Sequence, residues 1–378
     1  YVTFFVFGAL VVTWVSRLPL IKEELGLEAA RLSIALLGVP LGLVLAMRFV
    51  AALIARTSSR HVAIVALIAV SAAGVLPALA WNLASLTIIL VLLGAAYGTL
   101  DIALNTQAAA IERIEGRPRM SRIHGMYSLG MLLGAGLGSI AAHIDLDPAW
   151  HFAIVGAVLG IIAVIAARGL LGAEQADRAV DLDSDAEPVA AHTGSVLRHP
   201  RVVLVGVIAF CCLFVEGAVD DWSGIYLHED QGSSLAFAPL AAAAAGLGMS
   251  IGRFRGDAQI ARIGRRAAVR LGALIGGVGM LLAVIVNEPW MAVLGYGVLG
   301  YGIAVIVPIA FTLAGNIEGV APALGISRVT TLGYAGLFAG PPIIGLVSHV
   351  LDLGLALGIG ACLLFVVAVL GRALRASD

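Results

Sequence analysis

Charge is what this chain has least of. Asp, Glu, Lys and Arg make up 12% of its 378 residues, about half of the roughly 25% that a soluble domain carries. With 60% hydrophobic residues and a mean hydropathy of +1.02, a soluble globular protein is excluded. Lysine occurs once, as Lys22 after Ile21. No Gly-Lys-Ser/Thr loop exists to cradle nucleotide phosphates, and Lys22 falls outside every expected span, which excludes a buried Schiff base. Cysteine is nearly absent too: Cys211 and Cys212 are adjacent and Cys362 lies in the last apolar run. That is neither a disulfide framework nor metal-ligand spacing, so the three read as small apolar residues. The eight histidines are scattered without a ligand motif. These absences argue against an enzyme, a cofactor, a metal site and a nucleic-acid partner.

Long apolar runs fill the space instead. They fall at about 1–18, 32–54, 61–81, 84–108, 124–144, 149–171, 201–227, 235–255, 266–286, 290–314, 324–349 and 353–371, each near the ~20 residues that cross a bilayer as a helix. The expectation is an all-α integral membrane protein of 12 transmembrane helices. Tyr1 opens inside an apolar run without Met or a basic lead-in, which reads as part of a first span rather than a signal peptide.

Arginine placement gives the expected orientation, because cytoplasmic loops collect Lys and Arg. With the N-terminus inside, the outward loops hold only Arg17, Lys22 and Arg31 of the 23 basic residues. The rest cluster at Arg48–Arg60, Arg113–Arg122, Arg168–Arg201, Arg253–Arg270, Arg328 and Arg372–Arg375. Both termini are expected in the cytoplasm. Residues 172–200 interrupt the pattern with Glu174, Asp177, Asp181, Asp183, Asp185, Glu187 and Pro188, and read as a polar cytoplasmic linker. Residues 1–171 and 201–378 are then two six-helix bundles.

The halves repeat each other. Arg48-Phe49 matches Arg253-Phe254, and Ile54-Ala55-Arg56 matches Ile260-Ala261-Arg262. Tyr97-Gly98 matches Tyr301-Gly302, Ile114-Glu115-Gly116 matches Ile317-Glu318-Gly319, and Ser121-Arg122-Ile123 matches Ser327-Arg328-Val329. Gly130 and Gly134 match Gly336 and Gly340. Parallel six-span repeats around a linker are the pattern of rocking secondary transporters with a midplane site.

These features resemble the major facilitator superfamily over essentially the whole chain. Gly248-xxx-Gly252-Arg253-xx-Gly256-Asp257, followed by Arg262-Ile-Gly264-Arg265-Arg266, is similar to its loop signature. Asp101–Glu112, Ser121–Gly130 and Glu216–Leu227 resemble its YbjJ-like bacterial inner-membrane branch. The first-half copy of the signature is degraded, with Ala51 and Ala52 where Gly and Asp would stand. The resemblance implies gating by Gly252, Arg253, Gly256, Asp257, Arg262 and Arg265; in this chain Arg122, His124 or the N-terminus of the 124–144 helix, where the dipole favours a carboxylate, are the expected partners of Asp257. It also implies that the first, fourth, seventh and tenth spans line the cavity. The fourth span lacks the usual antiporter Arg, and the fifth lacks the Gly-Pro pattern of drug antiporters; Gly340-Pro341-Pro342 stands in the eleventh instead.

An ionisable residue inside a span is costly and is by default a functional candidate. Asp101 and Asn105 are one turn apart in the fourth span and share a face, with Gln107 beyond them. Glu216 and Asp220 share a face of the seventh. Asp101, Glu216 and Asp220 are the expected proton-coupling carboxylates. Asn105, Gln107, Trp14, Arg17, Trp222, Tyr226, Tyr301, Asn316 and Tyr334 are the candidate solute ligands. Such a cavity is net acidic, which disfavours phosphorylated or dicarboxylate solutes that need Arg or Lys clamps. The expected function is proton-coupled, alternating-access transport of a small polar solute, neutral or cationic and sugar-like, by a monomer in a bacterial inner membrane. Export of cationic or amphipathic compounds is the alternative.

Overall fold

A computed structural model describes residues 1–115, 119–172, 199–320 and 322–374, so most of the expected linker lies outside the described residues. Every regular element among them is helical. In chain order they are α1 (Val2–Val15), α2 (Leu18–Glu24), α3 (Ala29–Leu36), α4 (Gly38–Arg56), α5 (Ser59–Ala73), α6 (Leu83–Glu115), α7 (Met120–His143) and α8 (Pro148–Ala167). There follow α9 (Pro200–Glu229), α10 (Leu240–Ile263), α11 (Arg265–Ile285), α12 (Pro289–Ile303), α13 (Ile306–Ala314), α14 (Pro322–Val347) and α15 (Leu353–Leu370).

Eleven stretches of the described chain are long and apolar enough to span a membrane. Some consist of consecutive helices, as α1 with α2, α3 with α4, and α12 with α13. The twelfth expected span is α10, whose Arg253, Arg255, Asp257 and Arg262 depress its hydropathy. It starts at Leu240 rather than near 235 and runs on to Ile263, because Ser234–Pro239 forms a turn capped by Ser234 and the basic residues extend the helix past the apolar run. Helix starts follow their local chemistry. Pro148, Pro200 and Pro289 open α8, α9 and α12, where a missing N–H costs nothing.

The contacts divide the chain into two compact units, Tyr1–Glu187 with Ser234–Pro239, and Pro188–Ser233 with Leu240–Asp378. Their most buried spans are Val2–Glu24 in the first and Pro200–Glu229 in the second.

Within each unit the same glycine contacts recur. Apolar helices gain little from lipid-excluding burial, so close backbone approach at small residues holds them together. A Cβ on Gly130 of α7 would stand 1.9 Å from Phe5 O, and one on Gly134 2.4 Å from Ala9 O. In the second unit, Gly336 and Gly340 of α14 stand the same way to Phe210 O at 2.2 Å and Phe214 O at 2.5 Å. Likewise Gly42 meets Val91 O and Gly94 meets Val39 O, while Gly248 meets Gly297 O and Gly300 meets Ala245 O. Counted on the numbering, these pairs are offset by 205 or 206. Even the N-caps repeat: Asp147 Oδ1 accepts from Ala149 N at 2.9 Å, and Asp352 Oδ1 from Leu355 N at 2.6 Å.

This register corrects two matches made on sequence. Aligning Gly94 with Gly300 puts Ile303, not Tyr301, opposite Tyr97. Aligning Gly42 with Gly248 puts Met47, not Arg48, opposite Arg253. Arg48 sits on an exposed face of α4, whereas Arg253 is half-buried.

Candidate functional site

In the first unit the polar centre is on α6. Asn105 Nδ2 donates to Asp101 Oδ1 and to Asp101 O, each at 2.9 Å. Both side chains are half-buried. The one-turn spacing thus closes the pair on its own helix and ties no second helix. Among the described residues Asp101 Oδ2 makes no hydrogen bond, so it is left for a proton or a solute hydroxyl. Tyr97, one turn earlier on the same face, packs its ring 5.9 Å from Phe7 of α1, and Phe7 lies 5.3 Å edge-on to Tyr127 of α7. Sequence reading did not single out Phe7, Tyr97 or Tyr127 as site residues. The i, i+4 relation of Tyr97 to Asp101 was the available signal for one of them.

In the second unit the centre is on α9. Glu216 Oε1 lies 3.9 Å from Arg253 Nη2 of α10, with side-chain exposures of 23% and 19%. Asp220, one turn on, interacts electrostatically with Glu216, Asp221 and Arg253. The loop signature places Arg253 among the gating residues, and the fold also brings it beside Glu216. Its neighbours Gly252 and Gly256 are packing positions, facing Tyr301 O with Ala304 and the Val305 side chain. Asp257 and Arg262 are exposed and Arg265 half-buried toward the end of α10 and the start of α11. At the start of α7, Arg122 is exposed, while His124 Nδ1 lies 3.0 Å from Met120 O and its ring 5.5 Å from that of Phe4.

Five expected solute ligands are packed away in this conformation. Gln107 is 1% exposed. Its Nε2 donates to Ser59 Oγ at 2.8 Å and Leu171 O at 3.0 Å, and its Oε1 accepts from Leu171 N at 2.8 Å. It is a tie between α6, α5 and the chain after α8 rather than a lining amide. Trp222 is fully buried, its Nε1 donating to Pro341 O at 2.9 Å, so its indole N–H is used within the protein. Tyr226 is buried, accepting from Gln231 Nε2 at 2.8 Å. Trp14 and Arg17 are buried as well, with Arg17 Nη2 donating to Leu146 O at 3.0 Å. Glu24, Asp145 and Asp147 lie close enough to interact with the Arg17 charge.

The remaining candidates are more open. Tyr301 accepts a short hydrogen bond from Gln259 Nε2. Asn316 is exposed, its Nδ2 donating to Thr312 O at 2.7 Å. Tyr334 is half-buried and stacks on Phe338 with centroids 6.1 Å apart. The arrangement as a whole offers a carboxylate beside an amide in one unit and carboxylates beside a guanidinium in the other. No group of three or more His, Cys, Asp or Glu among the described residues is arranged to hold a metal ion.

The comparisons agree with this architecture. The model of the Major Facilitator Superfamily matches residues 1–313. An uncharacterized MFS-type transporter of Yersinia pestis is 34% identical over 373 residues, covering 98% of this chain and 93% of that protein. The membrane protein MosC of Rhizobium meliloti is 30% identical over 372 residues, with 97% and 85% coverage. Among solved structures, the nucleoside transporter NupG superposes with a TM-score of 0.72 at 16% identity, over 98% of this chain and 96% of that one; at that identity the likeness is one of fold. A twelve-span helical chain with internally repeated packing, matched by family model and by relatives over nearly its full length, belongs to the major facilitator superfamily, and is a multi-pass membrane transporter of a small solute rather than an enzyme.

Proposed function

We propose that this transporter couples the movement of a small polar organic solute, neutral or cationic, to protons by alternating access. The observation that carries the reading is the pair of half-buried acidic centres inside the spans, Asp101 with Asn105 and Glu216 with Asp220 beside Arg253. Carboxylates in a low-dielectric span are expensive as bare charges. Arg253 can balance only one of Glu216 and Asp220, and a proton or a cationic solute neutralises the other. On α6, Asn105 can orient a solute hydroxyl against Asp101, so that solute and proton meet at one carboxyl. Asp257, Arg262 and Arg265, with Arg122 and His124, are the proposed gating charges. The excess of acid over base disfavours anionic solutes. The basic clusters favour cytoplasmic termini in a bacterial inner membrane, and a monomer is sufficient, since both centres come from one chain.

The test is proton flux from purified protein in weakly buffered liposomes, with sugars, nucleosides and cationic dyes added in turn. Nucleosides are included because NupG, a nucleoside transporter, shares the fold. A pH change with a neutral polar solute that Asp101→Asn abolishes is the expected result. A flux confined to the dyes would replace it with proton-driven export of cationic compounds. Solute movement with no pH change would end the proton-coupling reading.

A further inference from the structure

An apolar groove in the first unit plays no part in this transport chemistry. It runs between α4, α5 and α6 with a volume of about 400 Å³, and its lining includes Leu53, Thr57, His61, Val65, Ala69 and Thr99. Small residues on α5 and α6 open it. The two hydroxyls are turned into their own helices, Thr57 Oγ1 donating to Leu53 O at 2.8 Å and Thr99 Oγ1 to Ala95 O at 2.7 Å, so neither offers a donor to the groove. Leu53 at 45% and Val65 at 65% exposure lie on the outside of transmembrane spans, so the groove opens toward lipid.

Polarity is confined to one end. His61 lies there with Nδ1 2.7 Å from Ser58 Oγ, and Arg56 and Arg60 flank it in the turn between α4 and α5. Arg56 and His61 are exposed and Arg60 is half-buried. From Glu28 to Asp101 the chain contains no other acidic residue, so neither α4, α5 nor the turn between them carries an acid to offset Arg56 and Arg60. From His61 to Ala69 the groove follows α5 for about 12 Å at 1.5 Å per residue. That length takes a stretch of extended polymethylene chain, and the apolar lining suits one.

We infer that this groove is a binding site for an anionic phospholipid, one acyl chain lying along α5 and the phosphate held by Arg56, Arg60 and His61. Basic pockets beside transmembrane helices select anionic headgroups in this way. The experiment is lipid retention by the purified full chain. Protein is equilibrated with vesicles of equimolar phosphatidylglycerol and phosphatidylcholine, re-extracted, and its bound lipid counted by native mass spectrometry. The expected result is one retained phosphatidylglycerol per chain, with a preference of roughly fivefold per arginine that falls to parity in Arg56→Gln/Arg60→Gln. Ala69→Phe, which fills the groove from an exposed position, should reduce retention of both lipids, while Arg201→Gln in the other unit changes neither. Equal retention of the two lipids by the unaltered chain would overturn the inference. So would an unchanged preference in the double variant or, if that variant fails to fold, undiminished phosphatidylglycerol retention by Ala69→Phe.

Discussion

The two units share a packing scaffold and differ in what they place on it. Backbone contacts at Gly130 and Gly134 in one are repeated at Gly336 and Gly340 in the other, and the α4–α6 contacts return as α10–α12. The ionisable groups do not follow. Counted by the offset of the central helices, Glu216 and Asp220 fall opposite Val11 and Val15. By that of the second pair, Asp101 and Asn105 fall opposite Val307 and Phe311. Helix approach tolerates only glycine or another small residue at the contact, so both copies keep it. An intramembrane charge is costly, and one copy suffices for a given task.

The comparison is broken most severely at the carboxylates. Asp101→Asn and Glu216→Gln should each abolish gradient-driven transport while leaving the detergent-solubilised protein as stable as before, measured by uptake into proteoliposomes and by thermal unfolding. A variant that keeps full coupled uptake would return its residue to a structural role. Next come the shared contacts. Gly130→Val and Gly336→Val should each lower stability by about 1–3 kcal/mol through overpacking. Gly136→Val, where an added Cβ meets nothing within 4 Å, should not. Unequal losses at Gly130 and Gly336 would show that the copies have diverged in packing as well as in charge.

Gln107→Leu is expected to cost about 1–3 kcal/mol, because it leaves the Leu171 backbone groups and Ser59 unpaired, with solute affinity unchanged; a weakened affinity at normal stability would restore Gln107 as a ligand. The smallest effects are at the repeated caps. Asp147→Ala and Asp352→Ala should each cost about 1 kcal/mol, read as a shift in unfolding, and equal shifts would sharpen the case for duplication.

Much of this was legible in the sequence, for physical reasons. Span number and position follow from hydropathy, and the acids on α6 and α9 stand out because almost nothing else in those helices is charged. Partners far along the chain were not legible. Nothing local to Gln107 announces Ser59 and Leu171, and nothing beside Trp222 announces Pro341 O. Both therefore read as free polar groups until folding pairs them. The Arg48–Arg253 match misled because a one-residue slip rotates a helix by about 100°, which separates an exposed arginine from a half-buried one. Arg253 belongs by sequence to the loop signature, and only the packing of α10 against α9 turns it toward Glu216.

The central claim is that Asp101 is the carboxyl at which proton and solute meet. The most direct measurement compares Asp101→Asn with the unaltered chain in two assays on the same proteoliposomes. One is solute accumulation driven by a proton gradient; the other is exchange of labelled for unlabelled solute at equal pH, which needs no net proton movement. The account predicts that the variant loses accumulation and keeps exchange. Loss of both would leave Asp101 with no part in proton coupling separable from solute binding or folding, and retention of both would contradict the claim.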